Sequence, residues 1–273
     1  MPNREPPRRR LDVLLVERGL FDSRARAAAA VLAGEVLLLP GRERATKPGQ
    51  TVRVDLAVEV AERLPYVSRG GVKLANALDA LGIDVAGARA LDVGASTGGF
   101  TDCLLQRGAA HVVALDVAYG ELSWRLREDD RVTVLERRNA RALRPTDLPY
   151  APGLIVIDVS FISLTKVLPA VLECAADRYD CLAMIKPQFE VGRERVGKGG
   201  VVRDPAHRRA ALVAVGQAAR GNGATVMGYA SSGLPGPKGN RETFVWLAER
   251  SRVGGLADLD TAAAVVEPLA VPS

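Results

Sequence analysis

Two lysines and two acids stand where they could move a proton. Lys186 closes an apolar run just before Pro187, and Asp158 closes the run before it; Lys73 sits in SRGGVKLANAL, and Glu242 in KGNRETFVWL at the start of the last run. A hydroxyl is a poor nucleophile unless a base takes its proton as it attacks. A lysine can be that base if desolvation and a second cation keep it neutral while an acid holds its geometry. Lys186 and Asp158 fit this demand, and Lys73 and Glu242 could complete the group. Taken singly, each also reads as an ordinary surface charge.

The segment ALDVGASTGGFTDCLLQRG adds a place for a nucleotide-like ligand. Gly94, Gly98 and Gly99 form a turn between an apolar strand and a helix, where backbone approaches a ligand closely. The spacing departs from G-x-G-x-x-G. Asp92 stands just before the turn, where it would repel a pyrophosphate but attract an ammonium or sulfonium. Asp116 ends the next strand, 22 residues after Gly94, and a carboxylate there can accept hydrogen bonds from both ribose hydroxyls of an adenosine. These features favour S-adenosylmethionine over a dinucleotide. The expected cofactor residues are Asp92, Gly94, Ser96, Thr97, Gly98, Gly99, Phe100, Asp116, Asn139 and Asp158.

The methyl acceptor narrows by comparison of motifs. Asp158-Val-Ser-Phe161 lacks the proline pair of enzymes that methylate exocyclic amines. Cys103 and Cys174 fall in helices and Cys181 at a strand start, which suits packing better than the nucleophile of carbon methylation. A ribose hydroxyl is the favoured acceptor. A rival phosphate loop, Gly192 to Lys198, matches G-x-x-x-x-G-K, but Gly199 follows where a magnesium-binding hydroxyl is required, so no NTPase is read. With Arg193, Arg195, Lys198 and Arg203, this stretch is expected to be a mobile substrate-side loop.

Positioning these groups takes repeated strand-then-helix blocks from residue 89 onward. Strands are expected over Ala90 to Val93, Val112 to Asp116, Val132 to Leu135, Leu154 to Asp158, Cys181 to Lys186, Ala224 to Tyr229 and Thr243 to Leu247. Continuous apolar runs suit strands covered on both faces. The segments between them have helix length, the clearest capped by Asp204 with Pro205 in its first turn, and a helix over Val72 to Leu81 precedes the first strand. The reading is a doubly wound, Rossmann-like α/β domain with a mostly parallel seven-stranded sheet. Residues 8–62 read as a separate small α/β unit of two helices and a short sheet, with strands over Val36 to Leu39 and Val52 to Val58. Asp22 or Ser23 caps the second helix and Gly34 closes it. Residues 63–67 form a linker, 68–250 the larger domain, and 251–273 a loose tail.

The 37 Lys and Arg exceed 32 Asp and Glu, a formal +5 that favours an anionic partner. Over residues 1–64 the excess is only twelve bases over nine acids, so placement counts for more than net charge. Aromatic residues make up 4%, which puts the weight of any nucleic-acid binding on phosphate contacts. Three cysteines without CxxC spacing argue against disulfides or structural zinc and fit a reducing cytoplasm; no metal site is expected. Asp12, Glu17 and Arg18 interrupt the N-terminal apolar run, so it is no signal peptide. No stretch approaches the roughly 18 apolar residues of a membrane span.

RLDVLLVERGLFDSRARAAAAVLAGEV resembles the RNA-binding domain typified by ribosomal small-subunit protein four, here the S-four domain. SRGGVKL, LDVGASTGGF, IDVSFISL, MIKPQFE and GNRETFVWL then follow in order, and the chain from about residue 8 to 250 resembles the TlyA branch of the FtsJ-like ribose 2′-O-methyltransferases. The resemblance implies a class I methyltransferase domain and a catalytic tetrad of Lys73, Asp158, Lys186 and Glu242. Lys186 would be the base, Asp158 its orienting acid, Lys73 the second cation, and Glu242 the group that positions Lys73 or the substrate. It further implies S-adenosylmethionine-dependent methylation of cytidine 2′-hydroxyls in small- or large-subunit ribosomal RNA, linked to sensitivity to capreomycin-type antibiotics. The implied RNA contacts are Arg8, Arg10, Arg18, Ser23, Arg24 and Arg26, with Arg69, Arg193, Arg195 and Lys198. The linker Arg63-Leu-Pro-Tyr-Val67 departs from the Trp-containing version of relatives. A non-catalytic ribosome-binding factor is the alternative. A membrane-active haemolysin lacks a suitable apolar segment. Arg10-Leu-Asp12, superficially the signature of pseudouridine synthases, is read as packing and phosphate contact inside the first helix.

Overall fold

The computed structural model describes residues 6–32, 35–60, 65–236 and 238–268; Gly34 and residues 63–64 of the linker lie outside them. The chain divides into two compact units, Met1–Leu64 and Pro65–Ser273.

The first unit runs β1 (Arg8–Arg10), α1 (Leu11–Glu17), α2 (Arg24–Leu32), β2 (Val36–Leu38), β3 (Glu43–Arg44), β4 (Thr51–Arg53) and β5 (Val58–Val60). Leu11, Leu14 and Leu15 of α1 and Ala27, Ala30 and Val31 of α2 recur at helical spacing and bury one face of each helix, with Val36 and Val52 completing the core. β1 pairs with β4, and β3, β2 and β5 form a second sheet. The strand expected over Val52 to Val58 is therefore two: the chain turns after Arg53, whose carbonyl accepts from Leu56 N at 3.1 Å. Arg10 closes β1 instead of lying inside α1.

The second unit follows as α3 (Arg69–Leu81), β6 (Arg89–Val93), α4 (Gly99–Gln106), β7 (His111–Leu115), α5 (Trp124–Arg127), β8 (Val132–Leu135), β9 (Leu154–Ile157), α6 (Leu168–Glu173), β10 (Asp180–Ile185), α7 (Pro187–Glu190), α8 (Pro205–Gly221), β11 (Thr225–Ser231), β12 (Thr243–Ala248) and α9 (Leu259–Val266). The seven strands lie in the order β11-β12-β10-β9-β6-β7-β8. β6, β7, β8, β9 and β10 are parallel, and β12 runs antiparallel to both β10 and β11. One face is covered by α3 and α4 through Leu74, Leu78, Phe100 and Leu104. The other is covered by α6, α8 and α9 through Leu168, Leu212, Val215 and Leu259. α3 starts earlier than expected because the Ser68 hydroxyl caps it, accepting from Gly70 N at 3.3 Å; it ends at Gly82, left-handed at φ 66°. Asp204 caps α8, accepting from Ala206 N at 2.8 Å.

Two expectations are corrected. The connection from β8 to β9 has helix length but forms only two short 3-10 turns, Ala140–Ala142 and Pro145–Asp147, because Pro145, Pro149 and Pro152 remove backbone donors at intervals too short for an α-helix. The C-terminal stretch is no loose tail up to the end of the described residues. Asp258 caps α9, Leu259 and Ala263 are buried, and Glu267 receives the Arg208 guanidinium at 2.9 Å, with both side chains buried. Removing one partner of a buried ion pair leaves the other charged and unsolvated. Glu267→Ala should therefore lower the thermal midpoint by roughly 6–12 °C in calorimetry; an unchanged midpoint would show that α9 is not held through this pair.

Candidate active site

Register places the site. Ile185 of β10 lies opposite Thr243 of β12 in antiparallel pairing, so the next residues outward, Lys186 and Glu242, leave the sheet as neighbours. Ile157 of β9 lies opposite Ala183 of β10 in parallel pairing, and Asp158 follows. Ala90 of β6, Leu154 and Val156 of β9, Leu182 and Met184 of β10 and Phe244 of β12 all face α3 and α4. Carried on at period two, the same alternation turns Asp92, Asp158, Lys186 and Glu242 to that face. Lys73 comes from α3 on the same side. Its ammonium donates to the Glu242 carboxylate, and both side chains are buried. Glu242 also lies against Gly236, where a Cβ would come within 2.4 Å of its Oε1.

The second ion pair is differently built. Lys186 Nζ lies 2.5 Å from Asp158 Oδ1 in an ion pair that falls outside regular hydrogen-bond geometry. The directed bond of Lys186 goes to Ser160 Oγ at 2.9 Å. Asp158 thus supplies charge, and the serine supplies direction.

The glycine turn lies beside this pair. Gly94 has φ 86°, and a Cβ there would come within 2.4 Å of the Asp158 carbonyl oxygen, so only glycine lets the turn meet the end of β9. Asp92 Oδ2 accepts from Thr101 Oγ1 at 2.7 Å, while its Oδ1 is buried without a donor. Burial pushes the Asp92 carboxyl up to about 7 against the Thr101 bond, and the charges of Asp158 and Asp116 add to the rise. Asp116 is fixed by backbone donors, Ser96 N at 2.7 Å and Ala118 N at 2.8 Å. It lines a small cleft with Ala95, Leu122, Val134 and Glu136. Ser96 and Thr97 are exposed on the turn, Gly98 and Gly99 open α4, and Asn139 caps a 3-10 turn by accepting from Arg141 N at 3.0 Å. The Phe100 ring is buried 5.8 Å from that of Phe244, which leaves its backbone for a ligand. Burial pushes the thiols of Cys103 and Cys174 up to about 11, away from nucleophilic chemistry.

Residues 66–249 match the family of FtsJ-like methyltransferases. The chain belongs to this family. It is 51% identical over 242 residues, 88% of this chain and 90% of the relative, to the 16S/23S rRNA (cytidine-2′-O)-methyltransferase TlyA of Mycobacterium tuberculosis. It is 33% identical over 196 residues, 71% of this chain and 74% of the relative, to the 23S rRNA (cytidine-2′-O)-methyltransferase TlyA of Campylobacter jejuni. Among solved structures, a candidate hemolysin from Streptococcus thermophilus is 39% identical, covers 95% of this chain and 96% of its own, and superposes with a TM-score of 0.71. As an FtsJ-like methyltransferase the chain takes its methyl group from S-adenosylmethionine. The site fits that donor: the unpartnered, buried oxygen of Asp92 suits the ammonium of a methionine moiety, and the Asp116 cleft suits an adenosine.

The methyltransferase unit also opens a groove of about 790 Å³ lined by Arg141, Phe161, Lys166, Gln188, Phe189 and Arg193, among others. Phe161 was legible only as the aromatic of Asp158-Val-Ser-Phe161. It stands 91% exposed at φ 64°, a left-handed conformation that costs a bulky residue about 1–3 kcal/mol and that function commonly retains. Arg141 and Lys166 carried no sequence signal. The expected mobile loop is stitched at its base: Gly197 bridges Val201, and the buried Asn240 accepts from Val202 N at 2.9 Å and donates to Gly200 O at 2.8 Å. Arg195 and Lys198 are exposed on it. Arg69 donates to Pro235 O at 2.9 Å, spending part of its guanidinium on the hairpin that carries Glu242.

In the first unit, Arg10 and Arg24 converge on the buried Asp12 at 2.8 and 3.1 Å, and these pairs hold its carboxyl far below the usual range. Arg26 pairs with Asp22 at 2.5 Å, and Ser23 Oγ accepts from Arg26 N at 3.3 Å as the cap of α2. Arg18 donates to the carbonyls of Leu56 and Val54 at 2.7 and 2.5 Å. Arg8 lies exposed on β1. Arg10 and Arg24 keep exposed side chains and remain able to meet a phosphate.

The folded value of Asp92 exceeds its unfolded value of about 4, so its contribution to stability is full below that pH and lost as pH rises through about 7. Without cofactor, Asp92→Asn should melt higher than wild type at pH 8, and its cofactor affinity should fall at least about tenfold in calorimetry. A wild-type affinity would remove Asp92 from the cofactor site. Glu242→Ala strands Lys73 in a dry setting and should cost about 3–5 kcal/mol of unfolding free energy by denaturant titration. A loss under about 1 kcal/mol would mean that the pair is not buried in solution.

Proposed function

We propose that this FtsJ-like methyltransferase methylates the 2′-hydroxyl of cytidine in ribosomal RNA, in the cytoplasm. The observation that carries the reading is the arrival of Lys186 with Asp158, and Lys73 with Glu242, on one face of one sheet edge beside the Asp92 oxygen that lacks a donor. The curated relatives named for cytidine 2′-O-methylation support the acceptor.

S-adenosylmethionine, when bound, supplies an electrophilic methyl carbon. Asp92 and Asp116 would hold its ammonium and its adenosine, with the glycine turn leaving backbone free to approach it. Lys186 takes the ribose proton at Nζ as the 2′-oxygen attacks, and Asp158 holds the ammonium that forms. The charge of Lys73 is met at contact by Glu242, so the pair acts as a fixed dipole at the edge and orients the ribose. Arg141, Lys166 and Arg193 face phosphates flanking the target, with Arg195 and Lys198 along the same loop. Phe161 offers an aromatic face to an unstacked base. The first unit adds an S-four-type grip through Arg8, Arg10, Arg24 and Arg26.

Mapping 2′-O-methyl positions in ribosomal RNA from cells with and without the gene should show at least one cytidine modified only in its presence. Lys186→Ala should keep RNA affinity within about twofold and lower methyl transfer at least about a thousandfold, measured with tritiated cofactor on subunits from the deleted strain. Near-normal turnover would remove Lys186 from the mechanism.

A further inference from the structure

The hydrogen bond that directs Lys186 comes from outside the four-residue group. Lys186 Nζ donates to Ser160 Oγ at 2.9 Å, whereas the Asp158 oxygen 2.5 Å away receives no directed bond. Ser160 is exposed, two residues after Asp158 and next to Phe161 on the groove. A charge contact alone leaves an ammonium free to rotate about its Cε–Nζ bond, because the three N–H groups are equivalent to a point charge. A hydroxyl at 2.9 Å in bonding geometry fixes that rotation.

The serine is itself held. Glu190, at the end of α7, accepts from Ser163 Oγ at 2.6 Å and from Leu164 N at 2.9 Å, pinning the far end of the loop from Asp158 to Leu164. The same short helix is entered by Lys186, whose carbonyl accepts from Phe189 N at 2.9 Å. Phe189 in turn packs on Phe161 with ring centroids 5.4 Å apart. Base and hydroxyl are thus set from one element, one at its start and the other through the loop fastened to its end.

We propose that Ser160 is a positioning residue for the methyl transfer. Its hydroxyl holds one N–H of Lys186, so that the lone pair of the neutral amine points at the ribose hydroxyl in the groove. The reaction balances without a further reagent. The ribose O–H proton passes to Lys186 Nζ, the bond between the 2′-oxygen and the methyl carbon forms as the carbon–sulfur bond breaks, and the sulfonium leaves as a neutral thioether. Ser160 changes neither charge nor covalent state and acts through Lys186. The proposal rests on the proposed ribose methylation and adds to it the group that aims the base.

Ser160→Ala and Ser160→Thr, in the full chain, test it against ribosomal subunits from the deleted strain. Ser160 is exposed, so neither change should disturb folding, and cofactor affinity by calorimetry should stay within about twofold of wild type. Ser160→Ala should lower kcat about tenfold to a hundredfold with KM for the subunits within about twofold, because an unaimed base loses proton transfer and not RNA contact. Ser160→Thr keeps the hydroxyl and should recover most of the loss. The proposal is overturned if Ser160→Ala turns over within about twofold of wild type, if only KM moves, or if the threonine is as slow as the alanine. Absence of transfer by the wild-type protein would remove the reading of the site and the proposal with it, whereas transfer indifferent to the serine removes the proposal alone.

Discussion

A strand covered on both faces still alternates its side chains, and that constraint decides where the strand-borne ionisable groups of this site lie. Ala90, Leu154, Val156, Leu182, Met184 and Phe244 occupy one parity of four adjacent strands, and Asp92, Asp158, Lys186 and Glu242 continue it. A slip of one residue in any pairing would turn its acid or lysine to the face of α6, α8 and α9, away from the partners it has here. The register of the sheet and the composition of the site are therefore one specification. The apolar residues that fix the pairing are also what dries the edge where Lys73 and Glu242 meet.

Dryness makes the two halves of the edge unlike. The Lys73–Glu242 pair is sealed between a helix and a hairpin, where breaking it strands a charge, so it holds α3 against the sheet. Asp158 is partly exposed beside Lys186, and water or a substrate hydroxyl can reach that pair. In the proposed mechanism a base must exchange its proton and a frame must not, and the difference in burial suits each pair to that role. Asp92 is the extreme case: with one oxygen spent on Thr101 and the other unpartnered, its carboxyl is driven toward neutrality unless a cation arrives.

All seven strands of the large sheet were legible within a residue or two, because runs such as Leu154–Ile157 and residues 181–185 are buried on both sides and read as unbroken apolar stretches. Asp92, Asp116, Asp158, Lys186 and Glu242 could be picked out as candidates because strand ends are fixed by those runs, whereas Lys73 comes from α3. What the sequence hid has local causes. The period of α9 is masked by alanines, and its anchoring partner Arg208 lies in a distant helix. The β8–β9 connection has the length of a helix and the prolines of a loop. The burial of the Phe100 ring was hidden, since periodicity cannot tell a ligand-facing ring from one packed on Phe244. Arg141 and Lys166 join the groove through folding alone, as no spacing links residues on separate connections.

The groove wall and the catalytic acid share an anchor, which limits how independently they can move. Asn240 holds the residues on either side of Val201 with its carboxamide, its own carbonyl accepts from Gly236 N at 2.8 Å, and Glu242 follows two residues later. Arg208 grips the adjoining carbonyls of Val202 and Arg203 at 3.2 and 2.7 Å while held by Glu267. Displacing the base of this loop would leave buried donors and acceptors unmet at about 1–3 kcal/mol each, whereas the exposed tip around Lys198 and Gly199 is under no such restraint. If the loop meets RNA as proposed, its adaptation would be confined to the tip and would stop short of Glu242 and its contact with Lys73.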